Sequence, residues 1–138
     1  MKEIYILDAC ALIALLAGEK GAENVKKIIQ DAIDGQIIVK INKINLLEVY
    51  YHICKVYNQE EANKVINKIE EFPIEIINGL DGNVFREAGR IKANYKISLG
   101  DSIVVAECIN NDGILITSDH DDFTIFEKEK LIKIYWFR

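Results

Sequence analysis

Short apolar runs alternate with amphipathic stretches along almost the whole chain. Glu3-Ile4-Tyr5-Ile6-Leu7 is a β-prone run that stops at Asp8, and helical material follows from Cys10 to Ala17 before Gly18 breaks it. From Ala22 to Ile33, the apolar residues Val25, Ile28, Ile29 and Ile33 fall at helical spacing, and Gly35 ends the segment. Ile37-Ile38-Val39 reads as a second strand. Asn42 to Tyr57 reads as a helix with an apolar face of Leu46, Leu47, Tyr50, Ile53, Cys54 and Tyr57. Glu48, His52 and Lys55 fall on another face. Glu60 to Phe72 is a further amphipathic helix, stopped by Pro73. Ile74-Glu75-Ile76-Ile77 is a third strand. Gly79-Leu80-Asp81-Gly82 is a turn, with Asp81 placed to cap a helix from Val84 to Tyr95. Asp101 to Asn110 is apolar enough to be a buried helix. Ile114-Leu115-Ile116-Thr117 and Leu131 to Trp136 are the fourth and fifth strands.

The strands are short and apolar, without the alternation of a sheet that shows one face to water, so both faces must be covered. Strands alternating with helices predict a mostly parallel, five-stranded sheet with helices on both sides, a three-layer α/β/α sandwich. In such sheets ligands bind beyond the carboxyl ends of the strands. The residues that follow each strand are therefore where chemistry is expected.

Composition narrows the picture. The chain has 138 residues, half of them apolar, with one proline and no linker-like run, so a single domain over residues 1–138 is expected. The apolar stretch Ala9 to Ala17 is shorter than the roughly 20 residues that span a bilayer. Asp8 interrupts its start, and Met1-Lys2-Glu3 is not the basic leader of a signal peptide. No membrane partner and a cytoplasmic location are expected. Cys10, Cys54 and Cys108 are scattered, without a Cys-x-x-Cys pair, and read as reduced, mostly buried thiols. His52 and His120 are the only histidines, and neither has ligand spacing to a cysteine, which argues against zinc. A net charge of −5 argues against a broadly basic nucleic-acid surface. It leaves room for an acidic site whose bound cations reverse the local field.

Four acids stand where the sheet predicts a site. Asp8 follows the first strand and Asp119 the fourth, Glu48 lies in the first turns of the helix after the second strand, and Asp101 opens the helix before the fourth. Converging carboxylates cannot all stay ionised without a counterion. Magnesium or manganese, which take oxygen ligands, resolves the conflict. Each acid also has a plain structural reading. Asp8 could cap the first helix. Ser98-x-x-Asp101 and, nearly, Asn45-x-x-Glu48 match capping boxes, and Asp119 suits an Asx-turn. Their joint placement at successive strand ends favours a site.

The chain resembles the PIN-domain family, in particular the small toxin nucleases of VapBC-type toxin–antitoxin modules. The resemblance is carried by Ile6-Leu7-Asp8-Ala9-Cys10, Asn45-Leu46-Leu47-Glu48, Ile97-Ser98-Leu99-Gly100-Asp101-Ser102 and Leu115-Ile116-Thr117-Ser118-Asp119, in that order. It implies magnesium- or manganese-dependent cleavage of RNA, with Asp8, Glu48, Asp101 and Asp119 as catalytic, metal-binding acids. Thr117 would orient the site, and Asp122 would be an auxiliary acid. It further implies a small antitoxin protein as partner and a homodimer. Two positions depart from the family pattern. Cys10 stands where Ser or Thr is usual, and a thiol is the weaker donor. Ser102 stands where Ala is common.

Other readings fit less well. A receiver domain would pair acids after the first strand and place an acceptor Asp after the third, where Asn78-Gly79 stands. A haloacid-dehalogenase-like phosphatase needs Asp-x-Asp, and the chain has Asp8-Ala9-Cys10. A non-catalytic PIN-like binding module, or a housekeeping RNA-processing nuclease of the same family, are the nearer alternatives. His120 reads as an exposed loop histidine, and His52 has no assigned role. Arg86, Arg90, Lys92 and Lys96 suit phosphate guidance or plain solvated surface equally. Tyr50, Tyr51 and Tyr57 have the spacing of packing residues rather than a base-stacking set.

Overall fold

A computed structural model describes all of residues 1–138. Five parallel strands form one sheet: β1 (Ile4–Leu7), β2 (Ile38–Asn42), β3 (Ile74–Ile77), β4 (Ile114–Thr117) and β5 (Lys133–Trp136). Their order across the sheet is β3-β2-β1-β4-β5. Seven helices connect them: α1 (Ala9–Ala17), α2 (Ala22–Ile33), α3 (Lys43–Val56), α4 (Gln59–Ile69), α5 (Gly82–Asn94), α6 (Leu99–Asn111) and α7 (His120–Lys128). No helix is long and apolar enough to cross a membrane.

The sheet is buried on both faces, as its apolar strands require. Successive side chains of a strand point to opposite faces. Ile6 and Leu7 are both fully buried, and so are Leu115 and Ile116. Leu7 and Ile116 join the core built with α1 to α4, whereas Ile6 and Leu115 join the core built with α5 to α7. The α/β sandwich therefore has two hydrophobic layers separated by the sheet.

Local chemistry sets the helix ends. Gly18, at φ 64°, ends α1 in the left-handed conformation that glycine adopts without strain. Asn58 caps α4, accepting from the Glu61 amide at 2.8 Å, and Asp81 caps α5, accepting from Val84 at 3.3 Å.

Several elements differ from the sequence expectation. β2 runs to Asn42, and the cap of α3 is that Asn42, whose Oδ1 accepts from the Ile44 amide at 2.9 Å. Asn45-x-x-Glu48 is therefore not a capping box, because both residues lie inside the helix. The buried face of α3 is Asn45, Leu46, Val49 and Ile53, while Leu47 and Tyr57 are exposed. Helix α6 opens at Leu99 rather than Asp101, capped by the Ser98 hydroxyl. Helix α7 has no counterpart in the expected elements. Its run of polar residues after β4 reads as loop, yet Phe123 and Phe126 are fully buried.

Candidate active site

The strand order reverses direction at β1. The chain steps outward through β2 and β3, then returns to the other side of β1 with β4, which leaves a crevice beyond the carboxyl ends of β1 and β4. Leu7 pairs with Ile116, and the Asp8 amide donates to the Ile116 carbonyl at 3.2 Å. Asp8 and Thr117 therefore meet at this crevice.

Asp8 caps α1 by accepting from the Ala9 amide at 2.9 Å, and its other oxygen accepts from Thr117 Oγ1 at 2.9 Å and from Cys10 Sγ at 3.2 Å. Thr117 in turn accepts from the Asp119 amide at 3.1 Å. One hydroxyl thus ties the first acid to the turn that carries another. Asp119 caps α7, accepting from the Asp122 amide at 3.2 Å. These capping roles do not compete with a site. The exposed amides of a helix N-terminus favour nearby negative charge.

The carboxylates of Asp101, Asp119 and Asp122 come together, with ligand-capable atoms all within 4.8 Å of one another. Asp101 is in the first turn of α6, and Asp122 in the first turn of α7. Asp8 and Glu48 flank this trio: the charge of Asp8 acts on Asp101, and that of Glu48 on Asp8. No member of the group takes part in an ion pair. Burial pushes the Asp8 carboxyl up to about 6, against the opposing hydrogen bonds from Cys10 and Thr117. Burial, followed by the neighbouring carboxyls of Asp122, Asp8 and Asp119, pushes Asp101 up to about 8. Asp119 is raised as well, by burial first and then by the carboxyls of Asp122 and Asp121, against the hydrogen bond from the Asp122 amide.

Glu48 is placed by two residues whose part the sequence reading left open. Asn45, fully buried, donates from Nδ2 to Glu48 Oε1 at 2.9 Å and to the Gly100 carbonyl at 3.1 Å. Its Oδ1 is buried without a partner. Gly100 is the second. A Cβ at that position would lie 2.8 Å from Glu48 Cδ, so only glycine lets α3 and α6 bring Glu48 this close. Both residues stand inside the quoted motifs, but their spacing alone carries no sign of the contact.

The remaining polar residues lie elsewhere. His52 lines an apolar groove with Ile13, Leu16, Val56, Tyr57 and Val65. Arg90 is paired with Glu87, and Arg86 turns back to the Gly82 carbonyl, so neither guanidinium is directed at the acids. Tyr50 donates to Asn63 at 2.8 Å, which fits a packing role.

The donor set tests what could bind. It is made of carboxylate oxygens, with no imidazole among them and a cysteine that burial, then the Asp8 charge, pushes up to about 12. A hard divalent cation such as magnesium or manganese fits such donors. Asp101, Asp119 and Asp122 would hold it, with Asp8 and Glu48 at its flank.

The fold and this crevice together define a class of α/β domain with an acidic edge beyond the sheet. The PIN domain family pattern matches residues 5–128, and the chain belongs to that family. No curated protein matches the sequence. Among solved structures, the chain is similar to one in VapBC2 from Rickettsia felis bound to a DNA fragment from their promoter. The TM-score is 0.74 at 17% identity, covering 96% of this chain and 97% of that one. It is also similar to a chain of DNA-bound VapBC from Salmonella typhimurium, with TM-score 0.71, 15% identity and full coverage of both. A third is Mycobacterium tuberculosis VapC20, a Sarcin-Ricin loop cleaving toxin, with TM-score 0.67 and 11% identity over 89% of this chain and 95% of that one. At these identities the likeness is one of fold.

Proposed function

We propose that this chain is a divalent-metal-dependent endoribonuclease, a single domain over residues 1–138, and the toxin component of a type II toxin–antitoxin module. The observation that carries the reading is the trio Asp101, Asp119 and Asp122, crowded within 4.8 Å at the sheet's carboxyl edge with no basic side chain to neutralise it. Membership of a family whose domains are generally nucleases agrees with it. A bound cation would supply an activated water and stabilise charge on a phosphodiester oxygen. The chain's own residues do the positioning. Thr117 fixes Asp8 and the Asp119 turn together. Asn45 and Gly100 fix Glu48.

The substrate reading is RNA, supported by VapC20, which cleaves the Sarcin-Ricin loop. The partner reading is a small antitoxin, supported by the VapBC complexes of the same fold. A basic side chain from its tail would compete with metal for the acids. The apolar groove beside His52, one helical turn beyond Glu48 on α3, would seat an apolar segment of the same tail. A homodimer fits the exposed stripe Ile44, Leu47 and Tyr51, which recurs at helical spacing on α3. We place the protein in the cytoplasm, where such a substrate is met.

The test is RNA cleavage by the purified protein with magnesium or manganese and again in chelator. Cutting that requires metal is expected, and undiminished cutting with metal removed overturns the mechanism. Co-purification with the product of an adjacent gene checks the antitoxin. Failure to bind it, with no toxicity on overproduction, removes the toxin assignment and leaves the nuclease.

A further inference from the structure

We propose that the open face of the His120 imidazole is a stacking platform for one unpaired base of the RNA strand, set beside the acidic trio. The proposal rests on the ribonuclease reading and names how that site selects its substrate. His120 is the first residue of α7, directly after Asp119. It is exposed, yet its ring is fixed from two directions. One face lies on the Trp136 indole, with centroids 4.0 Å apart and planes 12° from parallel. Its Nε2 lies 2.9 Å from the main-chain carbonyl of Arg138, which can only accept, so that nitrogen carries a proton and donates. Trp136 is itself held. Its indole N–H donates to Glu127 at 3.3 Å, it pairs with Thr117 across β4 and β5, and it packs against the core cluster that holds Phe123 and Phe126. The layers run from core to Trp136 to His120 to solvent.

With Nε2 committed to Arg138, the imidazole has two features left to offer, Nδ1 and its outer face, and the His120→Phe variant below separates proton transfer at Nδ1 from stacking. A histidine that merely solvated a helix end would not lie flat on a tryptophan with its N–H bonded. The outer face is a rigid planar π-face next to the residue that leads into the acids. Every base has a π-face, so such a platform accepts any sequence but demands a base that is not paired in a duplex. The site would thereby favour loops and single strands.

The chain has one tryptophan, so Trp136 emission reports directly on the stack. Asp8→Asn protein with magnesium would be titrated with a short single-stranded RNA of mixed sequence and with the same strand lacking its bases. The intact strand is expected to change Trp136 emission and bind about tenfold more tightly than the abasic strand. In the active enzyme, His120→Gln keeps a hydrogen-bond donor but no ring, and is expected to raise KM about tenfold with kcat little changed. His120→Phe keeps a ring without proton chemistry, and should hold KM near wild type. Should His120→Gln fail to fold, His120→Leu replaces it as the apolar side chain without a planar face, compared with His120→Phe. Equal KM for the ring-bearing and ringless variants overturns the platform, as does loss of kcat in His120→Phe. If the wild-type protein cuts no RNA, the ribonuclease reading falls and the platform with it. If it cuts and the ringless variant matches it, the platform alone falls.

Discussion

Asp101 and Glu107 stand on the same helix, and burial raises both carboxyls above their ordinary range. Their neighbours differ in kind. Glu107 accepts from Asn42 at 2.7 Å and from Asn111 at 3.3 Å, and Lys40 lies close enough to act on it. Asn42 also donates to the Gly79 carbonyl, and Lys40 donates to Asn111 at 3.1 Å. Every group in that network has a donor or acceptor to meet, and its product is the fixed position of β2, the β3 turn and α6. Asp101 meets Asp122, Asp119 and Asp8, all acceptors when ionised. A buried carboxylate among amides is a finished structural device. A half-buried carboxylate among carboxylates lacks its counterion, and a bound cation of the kind proposed above would supply it.

The comparison breaks first on substitution. Asp101→Asn is expected to cut RNA at least about a hundredfold more slowly while keeping its fold, because it removes charge that the cation needs and relieves repulsion among the acids. Glu107→Gln should cut within a few-fold of wild type. Glu107→Ala should also cut, but lose about 1–3 kcal/mol of stability, since the Asn42 amide loses its buried acceptor. Cleavage assays beside denaturant unfolding in chelator measure both arms. Near-wild-type cutting by Asp101→Asn would remove that residue from the site.

Gly100→Ala probes the same edge without touching a charge. The new Cβ would press on the Glu48 carboxylate, which must swing away and give up its bond from Asn45. A loss of cutting of about tenfold or more is expected, the scale for displacing a ligand's support. Because the obstructed atoms are the far end of a flexible side chain, the thermal midpoint should move little. Unchanged cutting would mean that Glu48 acts from another position or not at all.

Acidity sharpens the contrast further. Asp8, raised to about 6, and Asp101, raised to about 8, bind their protons more tightly folded than unfolded, where the ordinary value is 3.8. The folded state therefore carries the extra protons between those values, and metal-free stability should fall as pH rises from about 4 through 6 and on through 8. Below the ordinary value both states are protonated and the effect is absent. Thermal midpoints in chelator should drop by several degrees across this window. Asp101→Asn should flatten its upper part, and added magnesium should remove most of the slope. A flat wild-type profile in chelator would contradict the crowding of the acids.

Much of this was legible in the sequence, and the rest was hidden for identifiable reasons. Strand composition predicted a sheet covered on both faces, because Ile6-Leu7 and Leu115-Ile116 leave no polar face. Strand ends then pointed to Asp8 and Asp119. Helix α7 was not legible, because His120-Asp121-Asp122 reads as loop and only Phe123 and Phe126 anchor it. The buried face of α3 was misread through Leu47 and Tyr57. Asn45 is polar yet sits at zero exposure, and Val49 takes the place expected of Leu47. A buried asparagine holding a site acid breaks the apolar pattern because it bridges Glu48 on its own helix to the Gly100 carbonyl on another. Gly100 was equally silent, since the need for a bare Cα appears only when α3 and α6 are packed together.

The smallest effect is expected at Cys10, where a thiol stands in a position usually filled by a hydroxyl in the resembled family. Cys10 Sγ lies 3.2 Å from Asp8 Oδ2 and 3.4 Å from Thr117 Oγ1. Burial, then the Asp8 charge, pushes the thiol up to about 12, so at neutral pH it is a protonated weak donor and not a nucleophile. Thr117 already donates to the same Asp8 oxygen at 2.9 Å, and the Ala9 amide holds the other. Asp8 therefore keeps its orientation whichever donor stands at position 10. Cys10→Ser should cut within about threefold of wild type, with the Asp8 carboxyl somewhat more acidic because a hydroxyl is the stronger donor. Thr117→Ala, which removes the bond to Asp8 and the acceptor for the Asp119 amide together, should cost clearly more. The pair is compared by initial cleavage rates at saturating magnesium, alongside alkylation of the native protein at neutral pH, which should leave Cys10 largely unmodified. A well-folded but inactive Cys10→Ser would show that the thiol does something that no hydroxyl in its place can do.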